Sequence, residues 1–189
     1  GLQSQGVDAV GLNGVDGKLL HGPRKSAVRV VEDGTKKIKR GDYSGTIKAV
    51  NTDLLDSLLD GNYVPVAAPP MAGADDDEIV PVNTDADRSA AAVAAALDAT
   101  LVLLTDVEGV YEDPADSSTL IESVETGEEW ETLESAAEGF MSRKIMAAEE
   151  ALEGGAPEVI VADANADAPI TDALAGDGTH MFQEALEEL

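Results

Sequence analysis

Two short polar segments and one lysine are the residues best suited to chemistry. One segment carries Asn83, Asp85 and Asp87, a second, 105–111, reads TDVEGVY, and Lys144 follows downstream. An ammonium group neutralises anionic oxygens, a carboxylate holds a cation through an ion pair, and an amide hydrogen-bonds a polar ligand. These residue types suit a reaction on a charged substrate.

Each of these features also has an ordinary structural interpretation. Asp85 and Asp87 fit the start of a helix, where carboxylates cap N–H groups and favour the helix dipole. The segment 105–111 fits a strand exit with Gly109 in a turn, and Lys144 fits a surface lysine. Lysine is rare here, however, because residues 51–189 hold three cations against 33 acids. The pattern alone leaves both interpretations open.

The hydrophobic pattern predicts alternating strands and helices that position these segments. Strands are expected at 7–12, 27–31, 46–50, 63–66, 100–105 and 158–161, helices at 86–97, 128–137, 142–152 and 169–174, turns at 33–34 and 41–42, and a loop at 67–80. A further helix is expected around the leucines at 54, 55, 58 and 59, with Asn51 or Thr52 as its cap and Gly61 at its end. Such alternation predicts an α/β fold with a mainly parallel sheet covered on both faces. Ligands of such sheets bind beyond the carboxyl ends of the strands.

Composition excludes several classes of function. The chain has 189 residues and a formal net charge of -26, so a nucleic acid would be repelled. It contains no cysteine, and its two histidines, His21 and His180, are too far apart in sequence to form a metal cluster. No apolar run is long enough to cross a membrane. We expect a cytoplasmic protein from a salt-rich, halophilic cell, because concentrated salt screens the repulsion between acidic groups.

Residues 83–111 resemble the amino acid kinase family. Their sequence, NTDADRSAAAVAAALDATLVLLTDVEGVY, follows the family pattern N-x-[ND]-x-D, an alanine-rich helix and a [ST]-D-V-x-G strand exit. Downstream, 139–144 reads GFMSRK and is similar to the family's G-G-M-x-x-K, with Phe140 in place of the second glycine, and Gly178-Thr179 is similar to its closing G-T. The resemblance implies a three-layer αβα sandwich in one domain, with a substrate- and carrier-binding part at 1–66 and a nucleotide-binding part at 67–189.

The resemblance also implies a reaction and a role for each candidate residue. The reaction is transfer of the γ-phosphoryl group of ATP, with Mg²⁺ held by the phosphates, to a side-chain carboxylate. Lys144 would neutralise the transferring phosphoryl group, Asp87 would hold the catalytic lysines, and Asn83 would bind the substrate. Asp85 stands where acetylglutamate kinases have asparagine. The nucleotide-binding residues implied are Asp106, Val107, Gly109, Val110 and Tyr111.

The first fifty residues resemble one branch of this family. The segments AVGL at 9–12, GVDG at 14–17, GPRK at 22–25 and YSGTIK at 43–48 are similar to archaeal kinases that phosphorylate 2-aminoadipate or glutamate attached to the small carrier protein LysW. These enzymes serve lysine and arginine biosynthesis, and acetylglutamate kinases are close relatives. The resemblance implies a small acidic carrier protein as partner and a homodimer.

The basic character of the first quarter fits such a partner. Residues 1–50 hold nine cations against five acids, a net charge of +4, whereas the rest of the chain has a net charge of -30. Carrier-docking candidates are Arg24, Lys25, Lys36, Lys37 and Lys39. Complementary charge would attract and orient an acidic protein. The alternative is a solvated hairpin whose lysines protect a sheet edge.

Several motifs of the family have no counterpart in this sequence. Family members begin with a strand that carries a catalytic lysine, then a Gly-Gly loop and a substrate-clamping arginine. We therefore expect that about the first third of a complete kinase is absent here, and with it one strand of the sheet. Two alternatives to the carrier-dependent kinase stay open: an acetylglutamate kinase acting on free substrate, and a non-catalytic nucleotide-binding fragment.

Overall fold

We describe the protein from a computed structural model, which covers residues 1–32, 35–75 and 78–187. The chain packs as two compact units, Gly1–Ser89 and Ala90–Leu189. The boundary falls inside one helix, 23 residues after the predicted division at 66. The roles predicted for the two parts, substrate and nucleotide binding, stay predictions.

In its described residues, the first unit contains a six-stranded mixed sheet and one complete α-helix. Its elements are β1 (Ala9–Gly14), β2 (Leu20–Glu32), β3 (Thr35–Gly45), β4 (Ala49–Val50), α1 (Thr52–Asp60), β5 (Val64–Asp75) and β6 (Glu78–Val82). The strand order is β1-β5-β2-β3, with β4 added to β2 and β6 to β5. β5 is parallel to β1 and β2, and the other pairs are antiparallel. Leu19, Leu20, Leu55, Met71 and Val82 are buried in this unit.

Of the two caps that the sequence allows for α1, Asn51 and Thr52, the structure uses Asn51. The side chain of Asn51 accepts a hydrogen bond from the Leu54 N–H at 3.2 Å and donates one to the Gly17 carbonyl at 2.7 Å. It therefore caps the helix and ties it to the turn after β1. Gly61 follows the last helical residue.

The second unit contains a four-stranded sheet with helices on both faces. Helix α2 (Ala86–Ala96) leads into it, followed by β7 (Leu101–Thr105), β8 (Ser123–Val124), α3 (Gly127–Ala136), α4 (Phe140–Glu153), β9 (Glu158–Asp163), α5 (Pro169–Leu174), β10 (Thr179–Phe182) and α6 (Glu184–Glu187). The strand order is β7-β9-β10-β8. β7 is parallel to β9 and β10 to β8, whereas β9 and β10 are antiparallel.

Alternating residues of β9 separate the two cores of this unit. Val159 and Val161 face a large cluster that includes residues of α2, α3, α4 and α6, with Trp130 fully buried in it. Ile160 and Ala162 face the opposite side, where α5 contributes Ala173. Side chains of a strand point alternately to opposite faces, so this pattern gives helix, sheet and helix layers. The predicted α/β fold with parallel strands is confirmed.

Two local predictions for the first unit are wrong, and a third concerns residues outside the described ranges. The loop expected at 67–80 is wrong, because β5 continues to Asp75 and β6 pairs with it antiparallel. Its prolines sit where the ladder is interrupted: the register of β1 against β5 steps from Ala68 to Met71, past Pro69 and Pro70. The turn expected at 41–42 is also wrong, since both residues lie in β3. The turn expected at 33–34 lies outside the described residues.

Candidate functional site

The segment 106–111 leaves the carboxyl end of β7, where the sequence placed it. The adjacent parallel strand β9 ends level with it, since Thr105 pairs with Asp163 and the Ala164 N–H donates to the Thr105 carbonyl at 2.7 Å. Beside these ends lies a cavity of about 320 Å³. Its acidic lining residues are Glu108, Glu122, Asp163, Asp172 and Asp177.

Thr179 fixes this segment from the start of β10. The fully buried Thr179 hydroxyl accepts a hydrogen bond from the Val110 N–H at 2.8 Å. The bond joins positions 69 residues apart in sequence. The closing G-T motif is therefore hydrogen-bonded directly to the strand-exit motif. The sequence alone gave no role to Thr179. The two motifs are far apart in sequence, and only the folded chain brings them together.

Gly109 is required by protein packing at this contact. A Cβ atom at this position would lie 2.6 Å from Thr179 Oγ1 and 2.8 Å from Leu120 Cδ1. Gly178 is constrained similarly, since its φ is +108° and a Cβ would collide with the Val161 carbonyl oxygen. The predicted contact of Gly109 with a nucleotide stays a prediction, but its lack of a side chain has this separate cause.

Tyr111 and Glu108 form a pair at one side of the cavity. The Tyr111 hydroxyl donates to Glu108 Oε2 at 2.7 Å. This hydrogen bond, together with partial burial and the nearby charges of Glu108 and Asp163, raises the pKa of Tyr111 above its ordinary value. Tyr111 is half-buried, whereas Asp106 and Val107 are exposed.

The cavity has the chemistry of a site for a neutral ligand that donates hydrogen bonds. Ionised carboxylates only accept hydrogen bonds, so this lining complements hydroxyl and amino groups. The ribose and adenine of a nucleotide present such groups. The same carboxylates would repel a triphosphate, whose charge requires cations.

Lys144 lies in the second turn of α4 and is half-buried. The helix follows Gly139, and Phe140, which replaces the second family glycine, is 83% exposed. The Arg143 guanidinium carbon lies 5.8 Å from the centre of the Phe140 ring. The Ser142 hydroxyl donates to the Ala137 carbonyl at 2.8 Å, which fixes the start of the helix. Lys144 thus occupies the amino-terminal half of α4, near the positive end of the helix dipole.

Asn83 and Asp85 lie between β6 and α2, and Asp87 lies just inside α2. Asp85 is a helix cap: its Oδ1 accepts a hydrogen bond from the Arg88 N–H at 3.1 Å. Its ordinary interpretation therefore has direct structural support. Asp87 lies in the first turn of α2 and is half-buried. Asn83 is exposed, and its backbone forms a parallel β-bridge with Ser44.

The basic residues of the first quarter lie on the β2–β3 hairpin. The Arg24 guanidinium carbon is 4.2 Å from the centre of the Tyr43 ring, a cation–π contact at the base of the hairpin. Lys25 and Lys37 are exposed. Lys36 and Lys39 have known register positions, opposite Val31 and Val28, but their side chains lie outside the described part of the structure.

Neither a metal site nor a membrane-spanning helix is present in the part of the chain that the structure describes. No group of three or more histidine, aspartate or glutamate side chains within 1–32, 35–75 and 78–187 is arranged to hold a metal ion. Over the same ranges, the helices are too short or too polar to cross a bilayer.

The amino acid kinase family model matches residues 1–163, which is most of the chain. This protein is a member of the amino acid kinase family. The predicted resemblance is confirmed. Among solved structures, the chain is similar to carbamate kinase from Giardia, with a TM-score of 0.67 at 18% identity over 96% of this chain and 64% of that one. N-acetylglutamate synthase from Neisseria gonorrhoeae gives a TM-score of 0.65 at 30% identity, covering 88% of this chain and 38% of that one.

Curated relatives match this family member over nearly its full length. A [LysW]-aminoadipate kinase from Thermus thermophilus is 44% identical over 181 residues, which are 94% of this chain and 66% of the relative. An acetylglutamate kinase from Methanopyrus kandleri is 47% identical over 163 residues, 85% of this chain and 63% of the relative. The chain thus spans slightly less than two thirds of the length of these relatives.

Proposed function

We propose that this family member takes part in ATP-dependent phosphorylation of a side-chain carboxylate, on 2-aminoadipate or glutamate linked through its amino group to a LysW-like carrier protein. The product is an acyl phosphate, used in lysine or arginine biosynthesis. The observation that carries the proposal is the 44% identity to a [LysW]-aminoadipate kinase across 94% of the chain. The site geometry supports it in three places.

The nucleotide side of the proposal rests on the cavity beside 106–111. Its carboxylates accept hydrogen bonds from ribose hydroxyls and the adenine amino group. Thr179 holds the Val110 backbone, two residues after Glu108, the residue of this segment that lines the cavity. A nucleotide bound there supplies the phosphoryl group, and its phosphates hold Mg²⁺, an ion that keeps several waters and needs few protein ligands.

The residues proposed for phosphoryl transfer act by charge and position. A carboxylate acceptor is already nucleophilic, so neutralisation and in-line positioning make up most of the catalysis. Lys144 neutralises charge on the transferring oxygens, Asp87 orients the catalytic cations, and Asn83 hydrogen-bonds the acceptor. Each of these roles is supported by the family motif that carries the residue.

The partner side of the proposal rests on the β2–β3 hairpin. An acidic carrier complements Arg24, Lys25 and Lys37, and the exposed apolar side chains of Val31 (68% exposed) and Ile38 (70% exposed) on the same hairpin add contact area. We further propose that the protein is cytoplasmic, as the biosynthetic role requires, and that it forms a homodimer, which light scattering measures directly.

The decisive experiment supplies ATP and carrier-linked 2-aminoadipate and detects the acyl phosphate by hydroxylamine trapping and mass spectrometry. Two proteins are compared: the 189-residue chain, and a chimera that adds the segment of the Thermus thermophilus relative that this chain does not match. We expect turnover by the chimera and none by the chain alone. A chimera that binds a non-hydrolysable ATP analogue but does not phosphorylate would leave a nucleotide-binding fragment as the function.

Free N-acetylglutamate is the second candidate substrate. It is favoured by the 47% identity to an acetylglutamate kinase. Both substrates are therefore offered to the same chimera. A higher kcat/KM for carrier-linked substrate supports the first proposal, and a higher value for free N-acetylglutamate supports the second.

A further inference from the structure

Three exposed side chains follow one another along the first two turns of α4. Phe140, Arg143 and Met146 are spaced three residues apart, and each is exposed. Residues three or four apart are neighbours on the surface of a helix, so these side chains lie beside one another. The Arg143 guanidinium carbon lies over the Phe140 ring, 5.8 Å from its centre. Together these three residues make up the α4 patch.

The packing of α4 does not account for the patch. The helix contributes Ile145, Ala148 and Leu152 to the large buried cluster of the second unit. Phe140, by contrast, is the most exposed large apolar side chain among the described residues, at a position where the family pattern has glycine. Hydrophobic stabilisation scales with the apolar area removed from water, so the exposed parts of Phe140 and Met146 contribute little to folding.

Arg143 is unusual for its charge. Residues 90–189 hold 24 acids and two cations, Arg143 and Lys144. The proposed reaction gives a role to Lys144 and none to Arg143. An acidic partner would be repelled by most of this unit and attracted to this one point. A guanidinium that stacks on a ring through its planar face keeps its N–H edge for carboxylates.

The direction of α4 places the patch at the edge of the sheet where β7 and β9 end. Only four residues separate the end of α4 from the start of β9, and Leu152 and Val159 belong to the same buried cluster. The helix therefore runs antiparallel to β9. Its 14 residues, at about 1.5 Å each, span about the length of the six-residue strand. Phe140 thus lies level with the carboxyl end of β9.

The composition of the patch is typical of a protein–protein contact. Aromatic residues, methionine and arginine are enriched at such contacts, whereas lysine and glutamate are depleted. The patch is small, and small contacts are characteristic of transient complexes. A carrier that delivers one acceptor and leaves after each turnover needs a transient complex.

We propose that the α4 patch is a docking contact for an acidic surface of the carrier protein that presents the acceptor amino acid. The proposal rests on the proposed function: Lys144, the residue after Arg143, is proposed to act on the transferring phosphoryl group, so the carrier must approach this end of α4. Phe140 and Met146 supply apolar contact area, and Arg143 pairs with carboxylates of the carrier. The contact belongs to the second unit and is separate from the hairpin of the first.

The first test titrates LysW linked to 2-aminoadipate into the 189-residue chain with isotope-labelled methionine methyl groups. The titration is done in ~1 M KCl, which screens the repulsion from the chain's own net charge. Met146 is exposed, whereas Met71 and Met181 are fully buried and serve as internal references. We expect the Met146 signal to shift and the two reference signals to stay in place. No shift of Met146 would overturn the proposal.

The second test measures carrier affinity in variants of the patch by calorimetry. Phe140→Ala and Arg143→Gln should each weaken binding about fivefold. Arg143→Lys should recover only part of the loss, because lysine keeps the charge without the planar face. Leu174→Ala, which removes an exposed apolar side chain from α5 of the same unit, is the matched control. Equal affinity in Phe140→Ala, Arg143→Gln and the parent, or an equal loss in Leu174→Ala, would contradict the docking role.

The kinase assay separates this proposal from the proposed function. In the active chimera, Phe140→Ala and Arg143→Gln should raise KM for carrier-linked substrate and leave KM for ATP unchanged. Unchanged KM for carrier-linked substrate in both variants would remove the docking contact and leave the proposed function intact. A chimera that does not phosphorylate, with a carrier that still shifts Met146, would leave the docking contact and remove the proposed function.

Light scattering tests the other occupant of the patch, a second copy of this chain. If Phe140→Ala and Arg143→Gln separate a dimer into monomers and leave carrier affinity unchanged, the patch is a contact between two copies and the proposal is wrong. We expect the same oligomeric state in both variants and the parent.

Discussion

Thr179 is the residue on which the geometry of the 106–111 segment depends most directly. In Thr179→Val the buried Val110 N–H loses its acceptor, which costs about 1–3 kcal/mol of folding free energy. We expect a lower denaturant midpoint, followed by fluorescence of Trp130, the single tryptophan, which is buried in the same unit. Thr179→Ser keeps the hydroxyl and is the control. Equal stability of the two variants would show that the hydrogen bond is unimportant.

Lys144 is the residue with the clearest proposed role in the reaction. In Lys144→Ala of the active chimera, kcat should fall at least ~100-fold, the scale of removing one electrostatic donor to a transition state. The melting temperature should stay close to that of the parent. Lys18→Ala, at an exposed position of the first unit, should retain most of the activity. Unchanged turnover in Lys144→Ala would show that Lys144 is an ordinary surface lysine without a role in catalysis.

Helix α4 carries a local excess of negative charge at Glu149. Burial, followed by the charges of Glu153, Glu134 and Glu150, raises the pKa of Glu149 above 4.5. An acid whose pKa is higher in the folded state loses stability as the pH rises from its unfolded value through its folded value. Glu149→Gln should therefore stabilise the protein near neutral pH, by about 0.2–0.5 kcal/mol in dilute salt.

The measurement for Glu149 is urea unfolding at neutral and at acidic pH. The stabilisation by Glu149→Gln should vanish at a pH below the pKa values of Glu149 in both the folded and the unfolded state, because Glu149 is then protonated in both. It should also shrink in concentrated KCl. Glu131→Gln, at an exposed position of α3, is the control and should change stability little. A stabilisation of Glu149→Gln that persists unchanged at acidic pH would rule out the charge mechanism.

Charge reversal on the hairpin formed by β2 and β3 tests the carrier-docking proposal. Replacing Lys36, Lys37 and Lys39 by glutamate in the active chimera should raise KM for carrier-linked substrate several-fold and leave KM for ATP unchanged, because charge complementarity acts only on the partner. Lys18→Glu, an exposed site outside the hairpin, is the control. Equal KM values in triple variant and parent would favour edge protection, which β3 at the end of the strand order also permits.

The charge of the whole molecule determines the conditions under which it is stable. A net charge of -26 on 189 residues destabilises the folded state by self-repulsion. At ~1 M salt the Debye length is about 3 Å, so most of this repulsion is screened. We expect molar KCl to raise the melting temperature substantially. Sucrose, which stabilises by exclusion without screening charge, provides the baseline. A melting temperature that does not respond to KCl beyond that baseline would contradict the prediction.

Elements with strong local signals could be predicted from the sequence. The helix from Thr52 to Asp60 has a capping asparagine, four leucines at helical spacing and a terminal glycine, and α5 was predicted with its observed bounds. The apolar run at 100–105 predicted a buried strand, which the structure has at Leu101–Thr105, and the order of the motifs predicted the family. These features depend on residues close together in the chain.

Features that join distant segments were decided by the tertiary structure. β5 extends through prolines because its pairing with β1, β2 and β6 outweighs their local preference for a loop. The short strand β8 pairs with β10, and β10 pairs in addition with β9; neither short strand has a sequence signal of its own.

For the site, the sequence by itself determined which residue types are present and in what order: Asn83, the 106–111 segment, Lys144 and the basic first quarter. The tertiary structure decided their contacts. It assigned Asp85 to a helix cap, gave Gly109 a packing role against Thr179, and placed the start of α4 at the edge where β7 and β9 end. The physical reason is that backbone pairing and close packing act between segments brought together only by folding, whereas periodicity and capping act within a few residues.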